Sequence, residues 1–183
     1  MRHILRRRET VVDSWRYLGE DAAAGDALIV PLAALRAERE RWWNWDGRLG
    51  VRLSPADRAE DLAADLPRLD LVAVEFPNPG DGRGYSQGRL LRERLKFRGE
   101  LRAVGAGVRQ DQAFLLARCG FDCLEPPPGV DLEAVSAALT RYDVAYQPGA
   151  SLVELRRQRF FASSGRHPAA PPGRTQSLQP IVK

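Results

Sequence analysis

Short apolar runs alternate with amphipathic stretches along this chain, and this alternation constrains the fold more than any other feature. From Ala27 onward the runs recur roughly every twenty to twenty-five residues, as expected for consecutive βα units around a parallel sheet. Leu71 to Phe76 is apolar on both faces for most of its length, which predicts a central strand covered by helices on both sides. The runs predict five strands, at Ala27 to Pro31, Leu49 to Leu53, Leu71 to Phe76, Leu101 to Val104 and Phe121 to Leu124.

The amphipathic stretches between these strands predict helices. Ser54 is a good N-cap, and Pro55 suits the first position of a helix. The pattern predicts an α/β fold with an open, mainly parallel sheet of about five strands and helices on both faces. A half-barrel of βα units has the same spacing and is the alternative. The predicted helices are Leu32 to Trp43, Pro55 to Leu66, Gln87 to Lys96, Gln110 to Cys119 and Leu132 to Tyr142.

The length of 183 residues fits one domain. We expect an N-terminal arm of short strands over residues 1–26, in which Thr10 to Trp15 forms a strand or hairpin arm at the domain edge. A single α/β domain is expected over residues 27–161. The last segment, residues 162–183, has too little apolar content to fold, and we expect it to be disordered.

Charge and composition exclude several classes of protein. The net charge is +4, but six basic residues follow Glu154 without an acid, which leaves residues 1–154 at a net charge of −2. A body with interspersed signs lacks the one-sided basic face of a nucleic-acid-binding protein. No apolar stretch approaches the ~20 residues that cross a bilayer, and no apolar segment follows the basic start. We therefore expect a cytoplasmic protein that binds neither nucleic acid nor membrane.

Three tryptophans, Trp42, Trp43 and Trp45, lie within four residues. They cannot all face one helix stripe. Packing of two indoles in the core, with the third half-exposed at a helix end, is the favoured interpretation. A platform for a partner or a stacked ring is the alternative.

The segment Phe76-Pro-Asn-Pro-Gly-Asp-Gly-Arg-Gly-Tyr-Ser86 leaves the central strand with glycines at alternate positions. Glycine allows positive φ and close approach of a ligand to the main chain. Ser86 is a candidate N-cap, and a helix that starts there would direct free N–H groups at an anion. The loop is neither a Walker A loop nor a dinucleotide fingerprint. The alternative is a tight crossover in which Asp81 and Arg83 pair with each other.

The segment Arg102-Ala-Val-Gly-Ala-Gly-Val-Arg-Gln-Asp-Gln112 follows the next strand in the same way. If the strands are parallel neighbours, both loops leave at the carboxyl edge of the sheet, where open α/β proteins bind ligands. Arg83 and Arg109 could then hold an oxyanion, with Asp81 and Asp111 as acceptors or general bases. Gln112 would be a neutral donor. Arg89, Arg92 and Arg94 are read mainly as a solvated helix face.

Metal and thiol chemistry is not favoured by the sequence. Cys119 is expected at a helix C-terminus, where the helix dipole disfavours a thiolate, so a redox pair with Cys123 is not expected. His3 and His167 lie in opposite terminal segments, and no ligand spacing for zinc, haem or an iron–sulfur cluster is present. We expect no metal site, and the cofactor is left open.

Eight short motifs are distributed along most of the chain. They are Asp13-Ser-Trp15, Leu49-Gly-Val-Arg-Leu53, Phe76-Pro77, Gly82-Arg-Gly-Tyr-Ser86, Arg89-Leu-Leu-Arg-Glu-Arg94, Gly99-Glu-Leu-Arg-Ala103, Asp111-Gln112 and Arg118-Cys-Gly-Phe-Asp122. Together they resemble an uncharacterised bacterial family, DUF934, and the resemblance extends from about Trp15 to Tyr146. Members are commonly described as oxidoreductases involved in sulfite reduction, because their genes often neighbour the gene of the sulfite reductase haemoprotein.

The resemblance implies an accessory protein of assimilatory sulfate and sulfite reduction that binds an anionic ligand. Its expected partner is sulfite reductase or the electron donor of that enzyme. The alternative is a non-catalytic module that docks on one of these proteins. The catalytic candidates are Asp111 as acid/base, Arg83 as oxyanion holder and Tyr85 as proton donor. The ligand-binding candidates are Gly80, Asp81, Gly82, Gly84, Ser86, Arg89, Gly105, Gly107, Arg109 and Gln112.

Overall fold

The computed structural model describes residues 1–140, which form one curled sheet with helices packed against it. No helix in this part of the chain has the length and apolar character needed to span a membrane. The strands are β1 (His3–Arg6), β2 (Glu9–Val12), β3 (Trp15–Tyr17), β4 (Ala27–Pro31), β5 (Leu49–Leu53), β6 (Leu71–Glu75), β7 (Glu100–Val104) and β8 (Cys123–Glu125). The α-helices are α1 (Leu32–Ala37), α2 (Arg39–Trp43), α3 (Arg83–Arg89), α4 (Gln110–Arg118) and α5 (Leu132–Thr140).

The strands are ordered β2-β1-β8-β7-β6-β5-β4-β3. From β3 to β8 each strand lies parallel to the next one along the chain. The N-terminal hairpin of β1 and β2 then extends the sheet, with β1 antiparallel to β8. Because the parallel strands follow in chain order, all their crossovers advance in the same direction.

The sheet is strongly curled. The Tyr17 hydroxyl on β3 donates to the Glu125 carboxylate on β8 at 2.7 Å, although four strands separate β3 from β8. In a flat sheet those two strands would lie roughly 24 Å apart. In addition, only Asp13 and Ser14 connect β2 to β3, which are the two edges of the sheet. The fold is therefore a half-barrel of βα units, as the alternative sequence interpretation stated.

The helices cover the outer face of the half-barrel. Val51, Val72 and Leu101 on this face pack in one apolar cluster with helix residues such as Leu35 and Leu116. A smaller cluster on the inner face contains Trp15, Ile29, Leu71 and Ala73 and no helix residue. Helices on both faces were predicted, and this part of the prediction is corrected. Right-handed crossovers that all advance in one direction put their helices on one side.

Gly50 makes room for the inner cluster. A Cβ at this position would lie 3.1 Å from the Leu71 side chain and 3.2 Å from the Trp15 ring. The inner surface of β6 is thus covered by an indole from the edge strand β3. Both faces of β6 are therefore buried, the outer face by helices and the inner face by Trp15, without a second layer of helices.

Two predicted helices differ from the structure. The stretch from Pro55 to Leu66 forms turns with two short 3-10 helices, Ala59–Leu62 and Leu66–Arg68. The Asp57 carboxylate accepts the Ser54 N–H at 2.7 Å and the Ser54 hydroxyl at 2.8 Å, which closes a local turn. The helix predicted from Leu32 to Trp43 is divided into α1 and α2 at Glu38, whose φ of −129° and ψ of 47° are not helical.

The tryptophan cluster is accounted for by packing. Trp42 is buried, and its indole N–H donates to the Ala34 carbonyl at 2.9 Å. Trp45 is half-buried and donates to the Asp26 carbonyl at 2.9 Å. The half-buried Trp43 ring lies near the guanidinium groups of Arg39 and Arg68. One indole is fully buried rather than two, and within the described residues all three have intramolecular partners.

Candidate functional site

The two glycine-rich loops lie side by side at the carboxyl edge of the sheet. They follow the parallel neighbours β6 and β7, so both leave the sheet at the same edge. The Tyr85 hydroxyl donates to Gln112 Oε1 at 2.5 Å and joins the first loop to the second. We call Gly80–Ser86 and Gly105–Gln112 the rim loops.

Close contacts with neighbouring backbone require glycine at two positions of the second rim loop. Gly105 has a φ of +112°, and a Cβ there would lie 2.7 Å from the Phe76 carbonyl oxygen. A Cβ on Gly107 would lie 2.7 Å from the Asn78 carbonyl oxygen, and the Gly107 N–H donates to Phe76 at 2.8 Å. Gly82 in the first rim loop has open space around it. Loop–loop packing therefore explains Gly105 and Gly107 without a ligand.

The helix after the first rim loop starts earlier than predicted. α3 begins at Arg83 with Gly82 as its N-cap residue, and Ser86 lies inside the helix. The Ser86 N-cap assignment was therefore wrong. Asp81 explains the earlier start, because its carboxylate accepts the Arg83 N–H at 3.1 Å. The first turn of α3 is thus satisfied by an anionic side chain of the protein itself.

Each rim arginine pairs with an acid of its own loop. The Arg83 guanidinium donates to both Asp81 oxygens, at 3.0 and 2.6 Å, while its side chain remains 63 % exposed. The hydrogen bonds from Arg83 lower the pKa of the Asp81 carboxyl. Arg109 lies 3.6 Å from Asp111, and both side chains are exposed. Both arginines are exposed, and ion pairs of exposed arginines are weak, so solvent or a ligand can replace the carboxylate partner.

Tyr85 and Gln112 form the polar link between the loops. Burial raises the pKa of the Tyr85 hydroxyl, with further contributions from the nearby Cys119 thiol and Asp111 carboxylate. The hydroxyl therefore keeps its proton at neutral pH and serves as a donor. Gln112 Nε2 in turn donates to Asp111 at 3.2 Å, which connects Tyr85 to the exposed carboxylate through one amide.

An open cleft of about 510 Å³ adjoins the second rim loop, lined by Arg109, Gln110, Asp111 and Val130. Arg89 lies less than one helical turn beyond the first rim loop and pairs with Glu93 at 3.0 Å, as a solvated helix face would. The assignments of ligand-binding and catalytic roles to the rim residues stay predictions.

Arg92 is not part of a solvated face. Its side chain is fully buried and donates to the carbonyls of Phe97, Gly99 and Gly120 and to the Asp122 carboxylate. The local helix changes to a π-turn over Leu90–Arg94, which alters the helical face. The interpretation of Arg92 as solvated was therefore wrong. This arginine ties the end of the helix to the start of β8.

The cysteines are buried and unpaired. Burial raises the pKa of both the Cys119 and the Cys123 thiol, so both are neutral near pH 7. Within residues 1–140, no group of three or more His, Cys, Asp or Glu side chains is placed to hold a metal ion.

Sequence reasoning missed a buried ionic network on the inner face, centred on Arg102 of β7. The Arg102 side chain is 0 % exposed. Its guanidinium donates to both Asp13 oxygens at 2.8 and 2.9 Å, to Glu100 at 2.9 and 3.1 Å, and to Glu125 at 2.9 Å. Burial by itself would lower the pKa of Arg102, but its hydrogen bonds to Asp13 and the surrounding negative charges raise it well above its usual value. Arg102 is therefore a permanent cation inside the half-barrel.

The network extends across the closure of the half-barrel. Arg2 donates to Asp13 at 2.9 Å, to Glu20 at 3.1 Å and to the Trp15 carbonyl at 2.8 Å. Burial, together with the charge of Glu125, raises the pKa of the Tyr17 hydroxyl, so it remains a neutral donor. We call Arg2, Asp13, Tyr17, Glu100, Arg102 and Glu125 the inner network.

A signal for this network was present in the predicted strands. Arg102 lies between the apolar Leu101 and Ala103, and Arg52 lies between Val51 and Leu53. In a strand, alternate residues face opposite sides of the sheet. Charged residues that alternate with apolar ones on several strands of one sheet indicate a shared polar face, which for this fold is the inside of the half-barrel.

The Asp13 carboxyl predicts a pH-dependent contribution to stability. Burial alone would raise its pKa. The hydrogen bonds that Arg102, the Trp15 N–H and Arg2 donate, together with the positive charge of Arg102, lower it. The carboxylate then stabilises the fold above its unfolded pKa of about 4, and this contribution is lost as the pH falls through the lower folded value. We expect the difference in unfolding free energy between the native chain and Asp13→Asn to be constant from about pH 5 to 8 and to shrink below about pH 4.

Urea unfolding at several pH values measures this difference. Asp61→Asn is the matched control, because Asp61 also accepts a hydrogen bond from an arginine, Arg36, but its side chain is 38 % exposed. Its effect should be small throughout. A difference for Asp13→Asn that does not change below pH 4 would contradict the assigned pKa direction.

Comparison with known proteins places the chain in a family. The family model described as "Bacterial protein of unknown function (DUF934)" matches residues 50–154. The chain belongs to the DUF934 family. A search of the curated proteins finds no match.

The DUF934 match covers both rim loops and the strands from β5 to β8. It includes Glu100, Arg102 and Glu125 of the inner network. Arg2, Asp13 and Tyr17 precede it. The partners of Arg102 therefore come both from the DUF934 region and from the N-terminal strands that close the half-barrel.

Proposed function

We propose that this DUF934 protein is an accessory component of assimilatory sulfite reduction and that it binds a small oxyanion, such as sulfite, between the rim loops. In this proposal Arg83 and Arg109 hold the anion. If the protein is catalytic, Asp111 acts as acid/base and Tyr85 donates a proton. The resemblance described above supports the metabolic role, and the geometry of the rim supports the choice of ligand.

The contact between two loops that each present an arginine is the observation that carries the oxyanion proposal. Arg83 and Arg109 lie on loops joined by the Tyr85–Gln112 hydrogen bond, and both guanidinium groups are exposed. Each pairs with a carboxylate, Asp81 or Asp111, and ion pairs of exposed arginines are weak. An oxyanion that bonds to two guanidinium groups makes stronger charge-assisted hydrogen bonds than either surface pair.

The test is growth of a deletion strain on sulfate, sulfite, sulfide and cysteine as sole sulfur sources. We expect failure on sulfate and sulfite and rescue by sulfide and cysteine. Complementation with the native chain should restore growth. The Arg83→Ala/Arg109→Ala double variant should not restore it, because the oxyanion loses both cations.

Arg36→Ala is the matched control for complementation, since Arg36 is also an exposed arginine paired with an acid, Asp61, but lies on α1. It should restore growth fully. Normal growth of the deletion strain on all four sources would reject the metabolic role. A growth defect that the double variant fully corrects would reject the rim site and favour a module that docks on sulfite reductase or its electron donor.

A further inference from the structure

The inner face of the half-barrel carries one cation and one anion that have no ionic partner within the described residues. Arg52 and Glu75 are both half-buried. Four other arginines that are partly or fully buried each pair with a carboxylate, namely Arg2, Arg6, Arg92 and Arg102. No carboxylate of residues 1–140 lies within 4.0 Å of Arg52, and no basic group of the same residues lies within that distance of Glu75.

Arg52 and Glu75 share a face and an end of the sheet. Arg52 on β5 is opposite Ala73 on β6, and Glu75 is two residues further along β6. Ala73 belongs to the inner cluster, so the alternation of strand residues puts both charged side chains on the inner face. Their Cα atoms are therefore roughly 8 Å apart. Two long side chains at this separation could reach each other, yet they do not pair.

The orientation of Arg52 is set by the inner network. Its guanidinium lies 5.6 Å from the centre of the Tyr17 ring, and the Tyr17 hydroxyl is held by Glu125 at 2.7 Å. Glu125 is in turn held by Arg102. This arrangement positions Arg52 over the hydrogen-bonded Tyr17 and Glu125 and leaves its N–H groups without a carboxylate partner among residues 1–140.

Barrels of parallel βα units bind their ligands at the carboxyl end of the strands. Arg52 and Glu75 lie at the carboxyl ends of β5 and β6, next to the connections that leave the inner face there. Half-buried charges without partners are unfavourable unless water or a ligand supplies the missing groups. A cation and an anion at the same end of the half-barrel favour a ligand that carries both a negative and a positive charge.

We propose that the mouth of the half-barrel is a binding site for a small zwitterion with the carboxylate and ammonium groups of an α-amino acid. The ligand carboxylate pairs with the Arg52 guanidinium, and the ligand ammonium donates to the Glu75 carboxylate. The inner network stays intact beneath the ligand. The site is separate from the oxyanion site proposed at the rim, which depends on Arg83 and Arg109.

Calorimetric titration of the full-length protein with the twenty standard L-amino acids tests this proposal. Propionate and ethylamine are the single-charge probes. At least one amino acid should bind at least about tenfold more tightly than either probe, because each probe lacks one of the two charge-assisted contacts. Arg52→Met and Glu75→Gln should each weaken binding of that amino acid by about tenfold or more.

Both variants should fold, since neither side chain has an ionic partner to lose in the part of the chain that the structure describes, and their melting temperatures without ligand should match that of the native chain. Arg83→Ala/Arg109→Ala is the control and should bind the amino acid as the native chain does. Absence of binding by every amino acid would overturn the proposal, as would unchanged affinity in Arg52→Met and Glu75→Gln. Neither result would affect the rim proposal, which sulfur-source growth tests separately.

Discussion

Arg102→Met should lower the free energy of unfolding by about 3 to 5 kcal/mol, the usual effect of removing one partner from a buried ion pair. The variant leaves Asp13, whose side chain is 0 % exposed, and the nearly buried Glu125 without their central cation. The methionine side chain has a similar length, so the loss of unfolding free energy results chiefly from the carboxylates that no longer have a cationic partner. Urea unfolding at pH 7, followed by circular dichroism, measures the effect.

Arg36→Met provides the matched control, because Arg36 pairs with Asp61 at 2.6 Å on the surface. Its removal should change the free energy of unfolding by only about 0 to 1 kcal/mol. A second variant, Arg102→Lys, keeps the charge but loses the paired geometry and should fall between the native chain and Arg102→Met. Equal effects for Arg102→Met and Arg36→Met would show that the inner network does not stabilise the fold.

Gly105→Ala should destabilise the protein by about 2 to 4 kcal/mol. Its φ of +112° lies in a region that alanine adopts only with strain. The added Cβ would also meet the Phe76 carbonyl oxygen at 2.7 Å, and that oxygen belongs to backbone that already bonds to Gly107. Strain and steric overlap each contribute about 1 to 3 kcal/mol, and partial relaxation reduces their sum.

Gly82→Ala is the matched control from the other rim loop. Gly82 has a φ of −84° and a ψ of −4°, and a Cβ would have nothing within 4 Å. Alanine should therefore be neutral or should stabilise the protein by about 0.4 to 1 kcal/mol, because it reduces the freedom of the unfolded chain. Thermal unfolding of both variants tests the contrast. Similar melting temperatures for the two would mean that the rim loops are not tightly packed against each other.

The parallel strands could be predicted from the sequence because each is a short apolar run. β4 and β5 begin and end where the apolar pattern does, at Ala27–Pro31 and Leu49–Leu53. The curl of the sheet could not be predicted in the same way. It depends on Trp15 packing over Gly50 and Leu71, and on the pairing of Leu5 with Leu124, and neither contact leaves a local pattern.

The adjacency of the rim loops followed from parallel pairing, which brings the carboxyl ends of neighbouring strands together. The pairing of Asp81 with Arg83 was one of the two alternatives for the first loop, and the structure shows that pair. The start of α3 was placed too late because Ser86 is a stronger N-cap residue than Gly82 in isolation. The side chain of Asp81 supplied the missing hydrogen bond from one residue earlier.

The inner network was missed because the strands were read for apolar periodicity alone. Arg102 was not assigned to a face of its strand, and the predicted strand Phe121 to Leu124 stopped before Glu125. The residue that completes their ion pairs, Asp13, is far away in the sequence, in a segment read as an edge arm. A search for charged residues at alternate strand positions would have identified Arg52, Glu75, Arg102 and Glu125 together.

The position of β1 in the sheet affects how the chain folds during synthesis. β1 and β2 leave the ribosome first, but Leu5 and Arg6 pair with β8, which is made last among the strands. At about 5 to 20 residues per second, the hairpin waits roughly 6 to 24 seconds for that partner. Strands β3 to β7 can meanwhile pair in the order in which they emerge. Closure of the half-barrel is therefore a late event, and Asp13 stays hydrated on the nascent chain until Arg102 arrives.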